Sequence, residues 1–345
     1  MRPCAPLLAV VLCALCVAAS ADQIVVDQGG AGDFTTIKDA FQAASDGDTI
    51  TINPGTYKGD SNRNIVWGER NLFLQPGMPR RFPVIDLEGA HRFVSLTSGY
   101  TDTTSIITGL NIINGTAPDV PSGGGGAIYA YYASPRIIMC NFSGCNGQFG
   151  GAVKFLYSNG KVLYCNFTGN TADQGGALSA SYGGDVVVEG CTFVENTAAS
   201  GGGAMRFYDA VRAVRGCTLV RNGAPVGGGL ALYVDSNPAI ERCIIAFSTE
   251  GGAVYADSPP DTVFQCISYG NVGGDGLSRS RQEVLYVDPR FCGFYSDDFT
   301  LCENSPALPD NNVWGVQVGR YGQGCPPCDS PVADSTWGRI KSLYR

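Results

Sequence analysis

Acidic and basic side chains recur at related positions in the middle of this 345-residue chain. Asp209 and Asp235 each stand five residues beyond a copy of one glycine-rich motif, and Asp257 lies one position off that spacing. Lys154 and Arg206 occupy a neighbouring position of the repeat, which reads as exposed. If the repeats stack, the carboxylates form a column that can hold Ca²⁺ through oxygen ligands, and Lys154 or Arg206 beside it can take a proton from a substrate carbon. The competing reading is a solvated edge of an acidic protein. Tyr132, Tyr157 and Tyr182 fall in the same column in earlier repeats, with Tyr129 and Tyr255 close by. A row of exposed rings suits sugar stacking or a protein contact, and it also serves as ordinary rim packing.

Cysteine is the second chemical candidate. Cys140, Cys165, Cys191, Cys217, Cys243 and Cys266 follow one another at regular distances. Stacked parallel strands hold their Cβ atoms about 4.8 Å apart, beyond the ~3.5–4.5 Å that a disulfide prefers. These six read as buried free thiols acting as small hydrophobes. Cys292 and Cys302 bracket a short loop and are the expected disulfide. Cys325-Pro326-Pro327-Cys328 has redox-motif spacing but lacks a strand–helix setting, so a structural bond or loop clamp is expected there. Zinc held by all four is the alternative.

The elements that must position these residues come from an internal repeat. Gly150-Gly151-Ala152-Val153 recurs at Gly175-Gly176-Ala177-Leu178, Gly202-Gly203-Ala204-Met205 and Gly251-Gly252-Ala253-Val254, with a degenerate copy at Gly228-Gly229-Leu230-Ala231. Asn170, Asn196, Asn222 and Asn271 each follow a column cysteine by the same distance. A period near 25 with short alternating runs is one coil of a β-solenoid. The fold expected is an all-β right-handed parallel β-helix of about nine or ten coils. Alternation turns Val153, Phe155, Met205, Phe207, Ala231 and Tyr233 inward after the glycines. It also turns Cys165, Phe167, Cys191 and Phe193 inward in the next strand, and leaves Asn166, Thr192 and Thr218 facing solvent. The Asn column is expected to form an amide ladder inside a turn.

The ends differ from the middle. Residues 1–21 read as a signal peptide: Arg2, the apolar run Leu7 to Ala19, and Ala19-Ser20-Ala21 as cleavage pattern. Residues 22–113 hold an N-terminal cap and irregular first coils. Thr36 is set to cap a helix with Ile37, Ala40, Phe41 and Ala44 on one stripe, ended by Gly47. Regular coils fill 114–284, a C-terminal capping segment fills 285–328, and a small, then basic and aromatic stretch fills 329–345, which reads as a disordered tail or as a sorting or attachment signal.

Two resemblances meet in these residues. Gly32-Asp33-Phe34-Thr35-Thr36-Ile37, Gly47-Asp48-Thr49-Ile50 and Pro54-Gly55-Thr56-Tyr57 resemble the opening of pectin-lyase-like β-helix proteins. Phe167-Thr168-Gly169-Asn170 and Phe193-Val194-Glu195-Asn196, with the Gly-Gly-Ala motif, resemble repeats of chlamydial polymorphic outer-membrane proteins. Asp288-Pro289-Arg290-Phe291 and Ser305-Pro306-Ala307 resemble the closing segment of secreted bacterial β-helix proteins. These resemblances imply the fold more than an activity. The strands that pectin methylesterases use for their Asp and Gln groups are missing. The single histidine, His91, rules out the Gly-His-Gly of polygalacturonases. A pectate-lyase-like site built on Asp209, Asp235, Arg206 and Lys154 stays open.

A net charge of −8 argues against a nucleic-acid partner. The expected role is therefore an exported, non-catalytic protein for surface attachment, adhesion or envelope structure. The alternative is a polysaccharide-active enzyme or carbohydrate binder, with Tyr132, Tyr157, Tyr182 and Asp257 meeting a polysaccharide or cell-surface glycan, and Ca²⁺ as the one cofactor in question.

Overall fold

The structure, a computed structural model, describes residues 21–97, 104–118, 124–182, 184–234, 236–258, 262–277 and 283–328. Residues 1–20, nearly all of the segment read as a signal peptide, lie outside the described residues, as do Asp235 and residues 329–345.

The chain winds as a right-handed parallel β-helix of about 11 turns, slightly more than the repeat count suggests. Three long sheets run along it. Sheet A has ten strands, from Gln23–Val26 to Val263–Phe264; sheet B has ten, from Thr56–Tyr57 to Val284–Leu285; sheet C has eight, from Ile65–Val66 to Val254–Ala256.

Single residues in the left-handed conformation make the corners. Met139, Tyr164 and Arg242 turn the chain from sheet A to sheet B, and Asn114, Glu195 and Arg221 turn it at the end of sheet B. Each non-glycine residue so placed costs roughly 1 kcal/mol. Glycine takes the same corners in other turns, as at Gly190 and Gly169. The Gly-Gly-Ala motif serves a different need. A Cβ on Gly151 or Gly176 would lie 2.0–2.1 Å from a carbonyl oxygen of the next turn, so only glycine lets these backbones approach.

The corner after sheet B leaves a backbone N–H without a strand partner, and the Asn column supplies one. Asn196 Oδ1 accepts from the Asn170 backbone N at 3.0 Å and from Asn170 Nδ2 at 2.9 Å. Asn196 Nδ2 donates to Phe167 O and to Asn222 Oδ1. Asn222 and Asn271 continue the pattern, and all four amides are buried. Cys145 and Ser248 hold the same place where the sequence departs from Asn, and their backbone N–H groups still donate to the next Asn.

The core inside the sheets is a set of vertical files. Phe142, Phe167 and Phe193 stack with centroids 4.9 and 4.7 Å apart. Cys140, Cys165, Cys191, Cys217, Cys243 and Cys266 are free and buried, as expected of the column, and Cys145 at the Asn corner is free and buried as well. Their sulfurs take part in bonding: Cys165 N donates to Cys191 Sγ at 3.4 Å, and Cys165 Sγ donates to Leu163 O. Burial pushes the thiols of Cys165, Cys217 and Cys243 well above their ordinary value, so they are poor nucleophiles.

The N-terminal helix forms as the cap predicts. Ile37–Ala43 starts at Thr36, whose side chain accepts from Asp39 N, and it buries Ile37, Ala40 and Phe41. The helix stops at Ala43, before Gly47, because Ala44 is already extended. Phe41 meets Trp67 edge-on at 5.1 Å.

The C-terminal segment departs from a simple end cap. Val284–Leu285 adds a last rung, and then Phe291, Phe294, Phe299, Leu301 and Val318 pack on Val194, Val220 and Ala246 along the outer face of sheet B. Arg320 reaches Tyr164 O, Cys165 O and Asn166 Oδ1, and Tyr321 bonds Thr192. Thr192 and Thr218 are therefore buried, not solvent-facing as alternation implied. Asn166 heads a second amide ladder, Asn166 to Asn141 to Asn111, with contacts of 2.6 Å.

The same segment carries the disulfides. The pairs are Cys292–Cys325 and Cys302–Cys328, with Cα atoms 5.9 and 5.8 Å apart. The expected Cys292–Cys302 and Cys325–Cys328 pairing is corrected: Gln323–Cys325 runs parallel beside Asp298–Cys302 and brings the late cysteines up to the early ones, so both links join an early cysteine to a late one. Peptide mapping without reduction should recover those two crossed links and neither short-range one.

Removing one rung of the buried amide ladder tests its weight. Asn196→Ala strands the Asn170 N–H and the Phe167 carbonyl in the core. At about 1–3 kcal/mol per orphaned group, it should lower stability by roughly 3 kcal/mol or more, whereas Asn166→Ala, part-buried, should lose less. Denaturant unfolding of both variants checks this ordering.

Candidate functional site

The candidate residues gather on the outer face of sheet C, where strand register sets three files. The first runs Ser95, Tyr129, Lys154, Ser179, Arg206, Ala231, Tyr255. The second runs Tyr131, Leu156, Ser181, Tyr208, Tyr233. The third lies at the corner and runs Tyr132, Tyr157, Tyr182, Asp209, all left-handed at φ 47–61°.

That register corrects the carboxylate column. Met205 pairs with Leu230 and Tyr208 with Tyr233, so Leu230 and Leu232 point inward, and Ala231 and Tyr233 point out. The triple glycine at 227–229 admits two alignments, and the alignment behind the inward reading of Ala231 and Tyr233 is one residue late. Val234 stands at the corner position that Asp209 holds one turn earlier, and Asp235 falls one residue beyond it, outside the described residues. The Phe207-Tyr208 and Leu232-Tyr233 pairs carried the true register in the sequence.

Lys154 and Arg206 do share a file, but they are not exposed. Lys154 is 2% and Arg206 9% accessible. A short three-stranded sheet of Asn146–Phe149, Thr171–Gln174 and Thr197–Gly201 precedes the sheet C strands. From its first strand, the Phe149 ring lies 5.0 Å from Lys154 Nζ and 5.6 Å from Arg206 Cζ. Alternation told which way these side chains point, but not that a second layer covers them.

The two cations converge on one hydroxyl. Ser181 Oγ accepts from Lys154 Nζ at 2.6 Å and from Arg206 at 2.7 Å, and Ser179 Oγ accepts from Lys154 at 3.3 Å. Tyr208 and Tyr233 lie 5.0 and 5.5 Å from the Arg206 guanidinium carbon. The described residues form six ion-pair contacts, and none involves Lys154 or Arg206. The carboxylates are turned elsewhere: Asp257 accepts from the Tyr255 hydroxyl and from Val234 N, and Asp209 is exposed at its corner. Among the described residues, the grouping able to offer three ligand atoms to a metal is Cys292, Cys302 and Cys325, whose sulfurs are in disulfides. The described carboxylates thus give Ca²⁺ no such cluster, and zinc across the four cysteines is displaced by their pairing.

The tyrosine row is real, and its geometry limits what it can do. Tyr132 and Tyr157 stack at 4.8 Å, and Tyr157 and Tyr182 at 5.3 Å. Tyr131 closes one end at 4.6 Å and Tyr208 the other at 5.2 Å. The ring faces cover one another, so a sugar ring has no free face to lie on. What the row offers outward is edges and hydroxyls, on side chains 41–50% exposed.

Residues 99–232 match the family model for a right handed beta helix region. Comparison with curated proteins gives no match, and comparison with solved structures gives none. Among the described residues no helix is long and apolar enough to cross a membrane.

Burial, reinforced by the Arg206 charge, pushes the Lys154 ammonium down to about 7 from 10.5. In the unfolded chain this lysine keeps its proton toward the ordinary value; folded, it gives the proton up from about 7. The unfolded state therefore binds more protons between those limits, and stability rises with pH through that window, by at most roughly 1.4 kcal/mol per pH unit. Lys154→Met should be more stable than the parent near pH 6, with the advantage shrinking by about pH 9.5. Urea unfolding at both values decides it; an equal difference at each would show that Lys154 does not titrate in this way.

Proposed function

We propose that this chain is an exported, non-catalytic β-helix rod for surface attachment, and that the outer face of sheet C is its contact face for a polysaccharide or cell-surface glycan. The observation that carries this reading is the Tyr132–Tyr157–Tyr182 ladder: a pre-ordered row of phenol hydroxyls that pays no further entropy to line up. The leader-like residues 1–21 and the paired C-terminal cysteines support an oxidising destination. The likeness of the Phe-x-x-Asn repeats to those of polymorphic outer-membrane proteins supports a surface role. The lack of a carboxylate facing Lys154 or Arg206 among the described residues favours binding over acid–base chemistry.

One observation favours the polysaccharide-lyase alternative. A lysine poised near neutral pH is suited to taking a proton from carbon.

Tyr157→Phe keeps the stack and deletes one hydroxyl, so it should weaken retention on immobilised glycans or whole cells several-fold; Tyr157→Ala should weaken it further. Thermal unfolding should show both variants folded. Incubation with polysaccharide should release no unsaturated or newly reducing ends. Product release that disappears in Lys154→Met would replace this reading with the enzymatic one.

A further inference from the structure

We infer that the Lys154–Arg206 pair is a recognition subsite for an oxyanion carried by an acidic saccharide. The inference rests on the glycan-contact reading and adds to it the charge class of the ligand.

The pair lacks a counter-charge. Ser181, a neutral acceptor, takes a bond from each cation, and Ser179 a second bond from Lys154. Arg206 stays charged at any ordinary pH. Its Nε is buried with no hydrogen-bond partner. Aromatic faces offset part of the burial cost, but a quadrupole does not neutralise a full charge. A buried cation left in this state is costly. Arg92 and Arg136 also bury guanidinium nitrogens without a hydrogen-bond partner, and Arg206 differs from them in sharing its serine with a second buried cation, Lys154. A carboxylate or sulfate oxygen between Lys154 Nζ and the Arg206 Nε edge supplies both the charge and the acceptor.

The surroundings point to a saccharide as the carrier. The Tyr157 and Tyr182 hydroxyl row borders the same strands, one to three residues along, so one chain with hydroxyls and an acid group meets both. The half-buried Phe149 ring covers both cations, and the ligand enters by displacing it.

Titration calorimetry near pH 6 at low salt, with a short oligoglucuronate, its methyl ester and sodium sulfate as probes, tests the assignment. The acid form should bind and the ester should not. Lys154→Met and Arg206→Met should each weaken binding by about 30-fold. Arg215→Gln, on sheet A and paired with Glu241, should bind as the parent does. Circular dichroism and thermal unfolding establish that each variant is folded. Should Lys154→Met fail to fold, Arg206→Lys, which keeps the charge and loses the fork, should still weaken binding. Equal binding of acid and ester, or of parent and both Met variants, overturns the subsite while leaving glycan contact intact. Sulfate binding without oligosaccharide binding overturns the saccharide class. No binding of any probe removes this subsite and counts against the glycan reading as well.

Discussion

Every feature of this protein depends on parallel, in-register stacking of one turn on the next. Once strands pair in that way, a residue meets its own equivalent above and below. Side chains that tolerate self-contact are therefore the ones that fill the files: phenylalanine on phenylalanine, amide on amide, thiol on backbone and thiol, tyrosine on tyrosine. The buried Asn ladder does most to hold the stacking in register. Its amide can both donate and accept at a corner where the strand ladder has ended, which an apolar side chain cannot do.

The legible part of the sequence was the part governed by this self-contact. Spacing placed the thiol column, the Asn ladder and the inward Phe file, because all three rest on one interval and on alternation. The N-cap at Thr36 was legible for a local reason, since its partner Asp39 is three residues away. Register failed only where glycine blurred it. At 227–229 three glycines in a row allow two alignments, and one slip in strand register exchanges the inner and outer faces. That slip put Asp235 in a column where the chain places Val234 one turn beyond Asp209.

What the sequence hid was the second layer. Alternation assigns a side chain to one side of a sheet and carries no word on what covers that side. Thr192 and Thr218 point outward as expected, yet the C-terminal segment lies over them, and Arg320 acts across turns that its sequence position does not suggest. Lys154 and Arg206 point outward too, and Phe149 covers them. Disulfide pairing was hidden for the same reason: the strands that bring Cys292 to Cys325 and Cys302 to Cys328 form part of that outer layer, where no repeat guides the eye.

The division between inner ladder and outer layer also explains where a site can exist. The stacked interior spreads stability over many equivalent rungs, so no single outer residue has to contribute to it. An outer face supported in this way can carry groups that weaken it locally, such as two cations on one serine and non-glycine residues held in left-handed corners. In a small globular domain such a pair would threaten the fold; on a solenoid its cost is met by neighbours that share none of its chemistry. The Lys154–Ser179–Arg206 file is thus the place on sheet C where this chain departs from self-stacking, and it lies beside a tyrosine ladder that keeps to it.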